Sequence, residues 1–149
     1  MRVVVQRSLH ASVTIDHSLV ASIEKGMVIL LGIGKEDNDE DIQYLIKKII
    51  GLRIFSDENG KMNLNVQDSG GEVIIVSQFT LFADTKKGNR PSFMDSAPPD
   101  IAIPLYQSFI ATFKENFNGK VETGEFGADM KVALINDGPV TIIIDSKQR

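Results

Sequence analysis

Lys131-Val132-Ala133-Leu134-Ile135 runs straight into Asn136-Asp137-Gly138-Pro139-Val140-Thr141, and Glu72-Val73-Ile74-Ile75-Val76 runs straight into Ser77-Gln78-Phe79-Thr80-Leu81. Each opening is apolar and rich in β-branched side chains, the composition of a buried strand. Each then breaks into polar, Gly- or Pro-bearing residues. A buried strand that ends in this way tends to deliver backbone N–H and C=O groups to a surface pocket. Gly138-Pro139 carries a further possibility, because the X-Pro bond alone has an appreciable cis fraction, about 5–6% in folded proteins. A cis bond here would aim both carbonyls to one side, as a rigid two-acceptor clamp for an ammonium group.

Working outward, residues 1–8, 10–16 and 19–25 alternate as strands, with turns near Leu9 and at Asp16-His17-Ser18. Residues 26–33 read as a buried strand. Asp37 to Asp41 supply acidic caps for a helix carrying Ile42, Leu45, Ile46, Ile49 and Ile50 at helical spacing. Residues 52–56 and 62–66 form a short hairpin about Glu58-Asn59-Gly60. Gly70-Gly71 opens the strand at 72–79, and the long connection 83–99 carries Gly88, Pro91, Pro98 and Pro99. A second helix, with Leu105, Phe109, Ala111, Phe113 and Phe117 on its apolar face, is expected to begin near Ile103, since Pro104 suits only a first turn. Strands near 120–125, 129–135 and 140–145 close the chain. The reading is α+β, a single domain over 1–149, mostly antiparallel sheets with two helices.

A chain of 149 residues suits one domain with one sizeable core. Its longest apolar run, Met27 to Leu31, is far short of the roughly 20 residues that span a bilayer, and no signal-peptide core opens it. We expect no membrane association. Zero cysteines exclude disulfides, thiol catalysis and thiolate metal sites, and agree with a cytoplasmic setting. A net charge of −4 argues against a generic nucleic-acid binder, DNA included, but not against a protein that touches only the end of an RNA. Lys86, Lys87 and Arg90 leave local positive charge just after the first motif. Charge alone reads as a solvated loop.

The two motifs together resemble the signature of the D-aminoacyl-tRNA deacylases, and the likeness extends along nearly the whole chain. Met1-Arg2-Val3-Val4-Val5-Gln6-Arg7, Gly51-Leu52-Arg53-Ile54-Phe55-Ser56-Asp57 and Gly60-Lys61-Met62-Asn63-Leu64-Asn65-Val66 are similar to that family. So are Gly88-Asn89-Arg90-Pro91-Ser92-Phe93 and Thr123-Gly124-Glu125-Phe126-Gly127-Ala128-Asp129-Met130. One departure is visible: Asp16-His17-Ser18 stands where an Asp-Gly turn is expected, which touches only the local turn type. The resemblance implies hydrolysis of the ester bond of D-aminoacyl-tRNA, and of glycyl-tRNA mischarged on tRNA-Ala, releasing the amino acid and tRNA. It implies a homodimer whose Gly138-Pro139 bond is cis and reaches across the interface into the partner subunit's pocket. For the basic loop, its place beside the first motif together with the resemblance favours a functional role over a merely solvated one. The long apolar last strand, Val140 to Ile144, is compatible with a dimer and equally with plain sheet core.

The residues narrow the chemistry. His10 and His17 have neither metal-ligand spacing nor a partner motif, and there is no Gly-x-Ser-x-Gly elbow or phosphate-binding Gly loop. We expect no metal and no cofactor. Ser77 and Thr80 offer hydroxyls, but a nucleophilic hydroxyl needs an adjacent base, and none is placed in sequence. Backbone N–H groups around Gln78, Phe79 and Thr80 are the favoured oxyanion donors. As the family suggests, the substrate's own 2′-hydroxyl then helps to position water. Phe126 and Met130, four apart, read as packing or as a holder for an adenine ring, and the resemblance places them at the terminal adenosine. Arg7 reads as a surface residue or as an anchor for the Gly-Pro segment, and the resemblance assigns it the anchoring role.

If the Gly138 and Pro139 carbonyls hold the α-amino group while oxyanion donors hold the ester carbonyl, a D side chain points to solvent and an L side chain meets the clamp. Glycine would pass. The alternative from another class is a non-catalytic module that captures the aminoacylated 3′ end of tRNA.

Overall fold

The computed structural model of the chain describes residues 1–149. Its elements are β1 (Arg2–Ile15), β2 (Ser18–Ile23), β3 (Gly26–Gly32), α1 (Asp39–Gly51), β4 (Phe55–Ser56), β5 (Met62–Leu64), β6 (Glu72–Ser77), a 3₁₀ turn (Phe79–Phe82), α2 (Pro99–Asn116), β7 (Val121–Thr123) and β8 (Met130–Asp145). β1 is the spine. β3 pairs with its residues 2–8 and β2 with its residues 11–15, while β8 runs antiparallel along its other edge. β6 joins β3 in parallel, β7 joins β6 in parallel, and β2 approaches both, so the sheet is nearly closed into a barrel. The parallel pairs require crossovers, and α1 and α2 supply them.

Alternation along the strands divides the apolar residues between two faces. Met27, Ile29, Leu31, Val73 and Ile75 face α1 and α2 in the main core. Val28, Ile74, Val76, Val13 and Ile23 face the other way, in a smaller cluster capped by Met130, Val132 and Leu134 of β8. Helix α1 is fixed by a capping box between Asn38 and Asp41 and buries Ile42, Leu45, Ile46 and Ile49. The stripe expected from sequence is the one observed. Helix α2 buries Ala102, Tyr106, Phe109 and Phe113.

Several boundaries differ from the sequence reading, each for a physical reason. β1 does not turn near Leu9. Ser8 pairs with Asn136 and Ala11 with Leu134, so three steps on β1 face two on β8, and the extra residue is a bulge that leaves Leu9 and His10 exposed. Helix α2 begins at Pro99, not near Ile103. Pro99 occupies the first helical position, where a missing N–H costs nothing, and Pro104 is carried inside the helix. Ala111 is exposed, because the buried stripe runs 102, 106, 109, 113. The strand at 72–79 stops at Ser77, and Phe79–Phe82 tighten into the 3₁₀ turn. The strands expected at 129–135 and 140–145 merge into one, β8, while the one near 120–125 stands apart as β7. At the first hairpin, Asp16 and His17 both adopt positive φ, 47° and 64°, so a two-residue turn forms without glycine.

Candidate active site

β6 delivers Ser77 and Gln78 to the rim of the sheet, and the 3₁₀ turn then folds back beneath β3. Gln78 N–H donates to the Leu31 carbonyl at 2.8 Å, which fixes the strand end. Leu81 N–H closes on the Gln78 carbonyl at 3.2 Å and Ala83 N–H on the Thr80 carbonyl at 3.1 Å. Phe79 and Thr80 open the turn, where amide N–H groups have no intrahelical partner. The oxyanion donors expected around Gln78, Phe79 and Thr80 thus narrow to the last two, the Gln78 amide being engaged.

A pocket of ≈ 230 Å³ lies at this strand end, lined by Val76, Ser77, Gln78, Phe79, Gly127, Ala128, Asp129, Met130 and Val132. Met130 reaches it by lying over Gly124, where a Cβ would stand 2.4 Å from the Met130 sulfur. Phe126 does not line the pocket. It is half-buried, packs on Tyr106 at 5.6 Å between ring centroids, and precedes Gly127 at the pocket wall. Tyr106 donates to the Ile75 carbonyl at 3.2 Å, and burial pushes its hydroxyl up to about 12, so it stays protonated and braces β6 from behind. Thr80 Oγ1 accepts from the Gln78 side-chain amide. No imidazole, amine or carboxylate is hydrogen-bonded to Ser77 or Thr80, and no group of three His, Asp or Glu side chains is gathered around a metal-sized space.

The turn is tightly seated. A Cβ on Gly32 would lie 3.0 Å from both the Gln78 carbonyl oxygen and Leu81 Cβ, and one on Gly34 would lie 2.9 Å from the Phe82 ring. Arg2 clasps the far side. Its guanidinium donates to the Leu81 carbonyl at 2.6 Å and to Asp145 at 2.9 and 3.1 Å, and it stacks over the Phe82 ring at 4.9 Å. Sequence reasoning missed Arg2, Gly32, Gly34, Gly124 and Tyr106. Gly32-Ile33-Gly34, at the end of a buried strand, was a readable signal of close backbone approach. Another depression, ≈ 370 Å³, lies behind this clasp among Met1, Arg2, Asp37, Asp145 and Lys147. Met1, Arg2 and Lys147 there are already paired with Asp37 and Asp145, whereas the 230 Å³ pocket lies at the strand end that carries the first motif, so we place the site at the latter.

The second motif is built differently. Gln6 pairs with Thr141 and Ser8 with Asn136, so two steps on β1 face five on β8, and three extra residues loop out. Proline within a sheet is confined to such bulges or to edges, which is why Gly138-Pro139 can interrupt β8 without ending it. Asn136 closes the loop, accepting from Val140 N–H at 3.1 Å and donating to Thr141 Oγ1 at 2.9 Å. Gly138 sits at φ 124°, and a Cβ there would be 2.7 Å from Val140 Cγ2 and 3.1 Å from Arg7 Nη2. The Gly138-Pro139 bond is cis.

Arg7 is 8% exposed, not a surface side chain. It donates to the Ile54 carbonyl at 2.6 Å and to the Asp137 carbonyl at 3.1 Å, and pairs with the Asp137 carboxylate at 3.1 Å. Gly138 and Pro139 are themselves exposed and lie outside the pocket of their own chain. The structure thus gathers Ser77, Gln78, Phe79 and Met130 in one place, with Thr80 on the same turn, and Arg7, Gly138 and Pro139 in another.

This is an α+β barrel protein with unpartnered main-chain donors at a strand end, and comparison with known proteins gives the class a family. A sequence model described as "D-Tyr-tRNA(Tyr) deacylase" matches residues 4–145. A D-aminoacyl-tRNA deacylase of Flavobacterium psychrophilum is 62% identical over 149 residues, covering 100% of this chain and 99% of that one. One of Thermosipho africanus is 60% identical over 148 residues, with 99% of each covered. Among solved structures, one described as "c-Myc DNA Unwinding Element Binding Protein" superposes with a TM-score of 0.93 at 39% identity, over 97% of this chain and 98% of that one. A eukaryotic structure described as a probable D-amino acid tRNA deacylase superposes at TM-score 0.81 with 16% identity, over 96% of this chain and 97% of its own; at that identity it shows the shared fold alone.

The chain belongs to the D-aminoacyl-tRNA deacylase family. It is accordingly an enzyme, a hydrolase of D-aminoacyl-tRNA. No helix in it is long and apolar enough to cross a membrane.

Proposed function

We propose that the chain hydrolyses the ester of D-aminoacyl-tRNA with main-chain atoms at both ends of the substrate, and that two copies are needed to assemble each site. The observation that carries this is the pair of open amides, Phe79 and Thr80, at a pocket whose hydroxyls have no base beside them. The ester carbonyl points at those N–H groups, which stabilise the oxyanion as water attacks. One such donor is worth about 2.7–4 kcal/mol in the transition state. The substrate's vicinal 2′-hydroxyl orients the water. The terminal adenine rests against Met130, with Phe126 behind it on Tyr106. An activated ester asks for only a modest further reduction of its barrier, so no covalent intermediate is required.

Chiral proofreading falls to Gly138 and Pro139 of the second copy, whose carbonyls hold the substrate ammonium and leave no room for an L side chain. Two features support this division. The Gly138-Pro139 loop is exposed and lies away from the pocket of its own chain, yet it is rigidly tied through Arg7 and Asn136. In addition, β8 presents Ile135 and Ile143 outward, 57% and 70% exposed, the kind of apolar row that a second copy covers. Glycine, having no side chain, is not rejected, so glycyl-tRNA mischarged on tRNA-Ala is a substrate as well. We place the activity in the cytoplasm, where tRNA is charged.

The test is release of tyrosine from D-tyrosyl- and L-tyrosyl-tRNA in parallel, with and without exhaustive chelation. Loss of the D ester alone, at a rate chelation leaves unchanged, supports the reading. Binding of the charged tRNA end without release would return the non-catalytic capture module, and loss of both esters would remove the clamp.

A further inference from the structure

We propose that the hairpin Asp84–Ser92, with the aromatic pair at its base, is a stacking and phosphate-binding platform for the single-stranded nucleotides that precede the terminal adenosine. This rests on the deacylase reading and adds to it a subsite for the RNA strand outside the pocket.

Three observations meet at one rim. Phe79, which lines the pocket, is 56% exposed. The Phe93 ring meets it edge to face at 5.0 Å and is 36% exposed, and the neighbouring Met94 is 71% exposed. Large apolar side chains clustered in water beside a polar site mark a contact surface rather than random exposure. The chain joining these rings is no slack loop. Asp84 and Ser92 exchange backbone hydrogen bonds at 2.8 and 2.9 Å, Lys86 N–H donates to Asp84 at 2.9 Å, and Ala97 N–H donates to the Ile33 carbonyl at 2.9 Å.

The third observation is charge. Between those paired residues the hairpin tip runs Thr85-Lys86-Lys87-Gly88-Asn89-Arg90-Pro91, three cations with no anion, in a protein whose net charge is −4. Every residue of the tip is exposed. Bases stack on aromatic faces with little regard to sequence, and Lys or Arg beside them neutralise the connecting phosphates. An apolar partner would leave the three cations unanswered, and an acidic peptide would leave the rings idle. A polynucleotide strand leading into the pocket satisfies both at once.

The experiment compares two substrates, a D-aminoacyl ester of adenosine alone and the same amino acid on full-length tRNA, using wild type, Phe93→Ala and the triple variant Lys86→Ala/Lys87→Ala/Arg90→Ala. For the full tRNA, Phe93→Ala should raise KM about tenfold, within the range of one base stack. The triple variant should flatten the slope of log kcat/KM against log salt by about 2, at roughly 0.7 per phosphate on a single strand. Neither variant should change hydrolysis of the adenosine ester. Equal losses on both substrates, no loss on tRNA, or a loss that tracks a change in oligomeric state would each overturn the platform. If wild type hydrolyses neither substrate, the deacylase reading fails and this one with it.

Discussion

Phe79–Phe82 and Asp137–Pro139 both follow apolar strands, yet the chain holds them in opposite ways. The first segment is wedged from two sides, by Gly32 and Gly34 beneath it and by Arg2, anchored on Asp145, behind it. The turn it forms borders a pocket of the same chain. The second is a three-residue excess in a ladder, gripped from one side by Arg7 and exposed on the other. Packing fixes where donors point inside a subunit, whereas a braced bulge can carry acceptors out of it. In the proposed site the catalytic half lies in one copy and the selective half in the other.

The largest effect that could break this contrast lies at Gly138. Alanine there would meet Val140 at 2.7 Å in a φ of 124° that L side chains rarely adopt. Gly138→Ala should lower kcat/KM for D-tyrosyl-tRNA by about a hundredfold or more, since even a displacement near 1 Å of a positioning group can cost that much. Steady-state kinetics on the folded variant checks this; activity within a few-fold of wild type would mean that the bulge does not contribute acceptors. Arg7 should behave alike, and Arg7→Lys should fail to rescue, because a point charge cannot serve the Ile54 and Asp137 carbonyls together.

The next effect concerns the wedged turn. Arg2→Ala removes the bond to the Leu81 carbonyl and the stack on Phe82. About a third of the side chain is exposed, so the ion pair with Asp145 adds under about 1 kcal/mol to stability. We expect a loss of about tenfold in kcat with KM little changed, read from single-turnover rates beside thermal melting. A fall in melting temperature without a fall in kcat would reduce Arg2 to a structural residue. Smaller still is the effect at the hydroxyls. Ser77→Ala and Thr80→Ala should each stay within about tenfold of wild type, as neither has a base to activate it. A loss as large as that of a removed nucleophile, with folding intact, would restore Thr80 to that role.

Much of this was legible in the sequence because backbone roles leave backbone signatures: a Gly-Pro inside a β-branched run, and a polar break after another. The apolar stripe of α1 was equally plain. What stayed hidden depends on long-range contact. Nothing in Met1-Arg2-Val3 says that this guanidinium will reach Leu81, and nothing near Leu9 distinguishes a bulge from a turn until β8 lies alongside. Pro104 misled because Pro99, the true helix start, sits five residues earlier behind another proline. The Gln78 amide looked as available as its neighbours until the carbonyl of Leu31 was placed opposite.

The weakest expected effect belongs to neither segment and serves as a control. Burial alone would raise the Asp41 carboxyl, but the Lys147 ammonium at 2.7 Å and the Asn38 N–H at 2.9 Å outweigh it and hold it at about 2 instead of 3.8. A depressed carboxylate contributes stability fully above its unfolded value. That contribution, about 2 kcal/mol, is lost as pH falls toward 2. Asp41→Asn should flatten acid unfolding in that window while leaving D-tyrosyl-tRNA hydrolysis near neutrality unchanged; a loss of activity there would tie the α1 cap to the site.

The assembly of one site from two copies is tested most directly by subunit complementation. One inactive variant, Gly138→Ala, lacks the selective half, and a second, Ala128→Trp, fills the pocket of the catalytic half. Each alone should be inactive on D-tyrosyl-tRNA. Mixed by unfolding and refolding together, they should recover activity toward about a quarter of wild type, because half the dimers are hybrid and each hybrid keeps one intact site. No recovery, with hybrid dimers confirmed by mass, would place both halves in the same subunit and contradict the account.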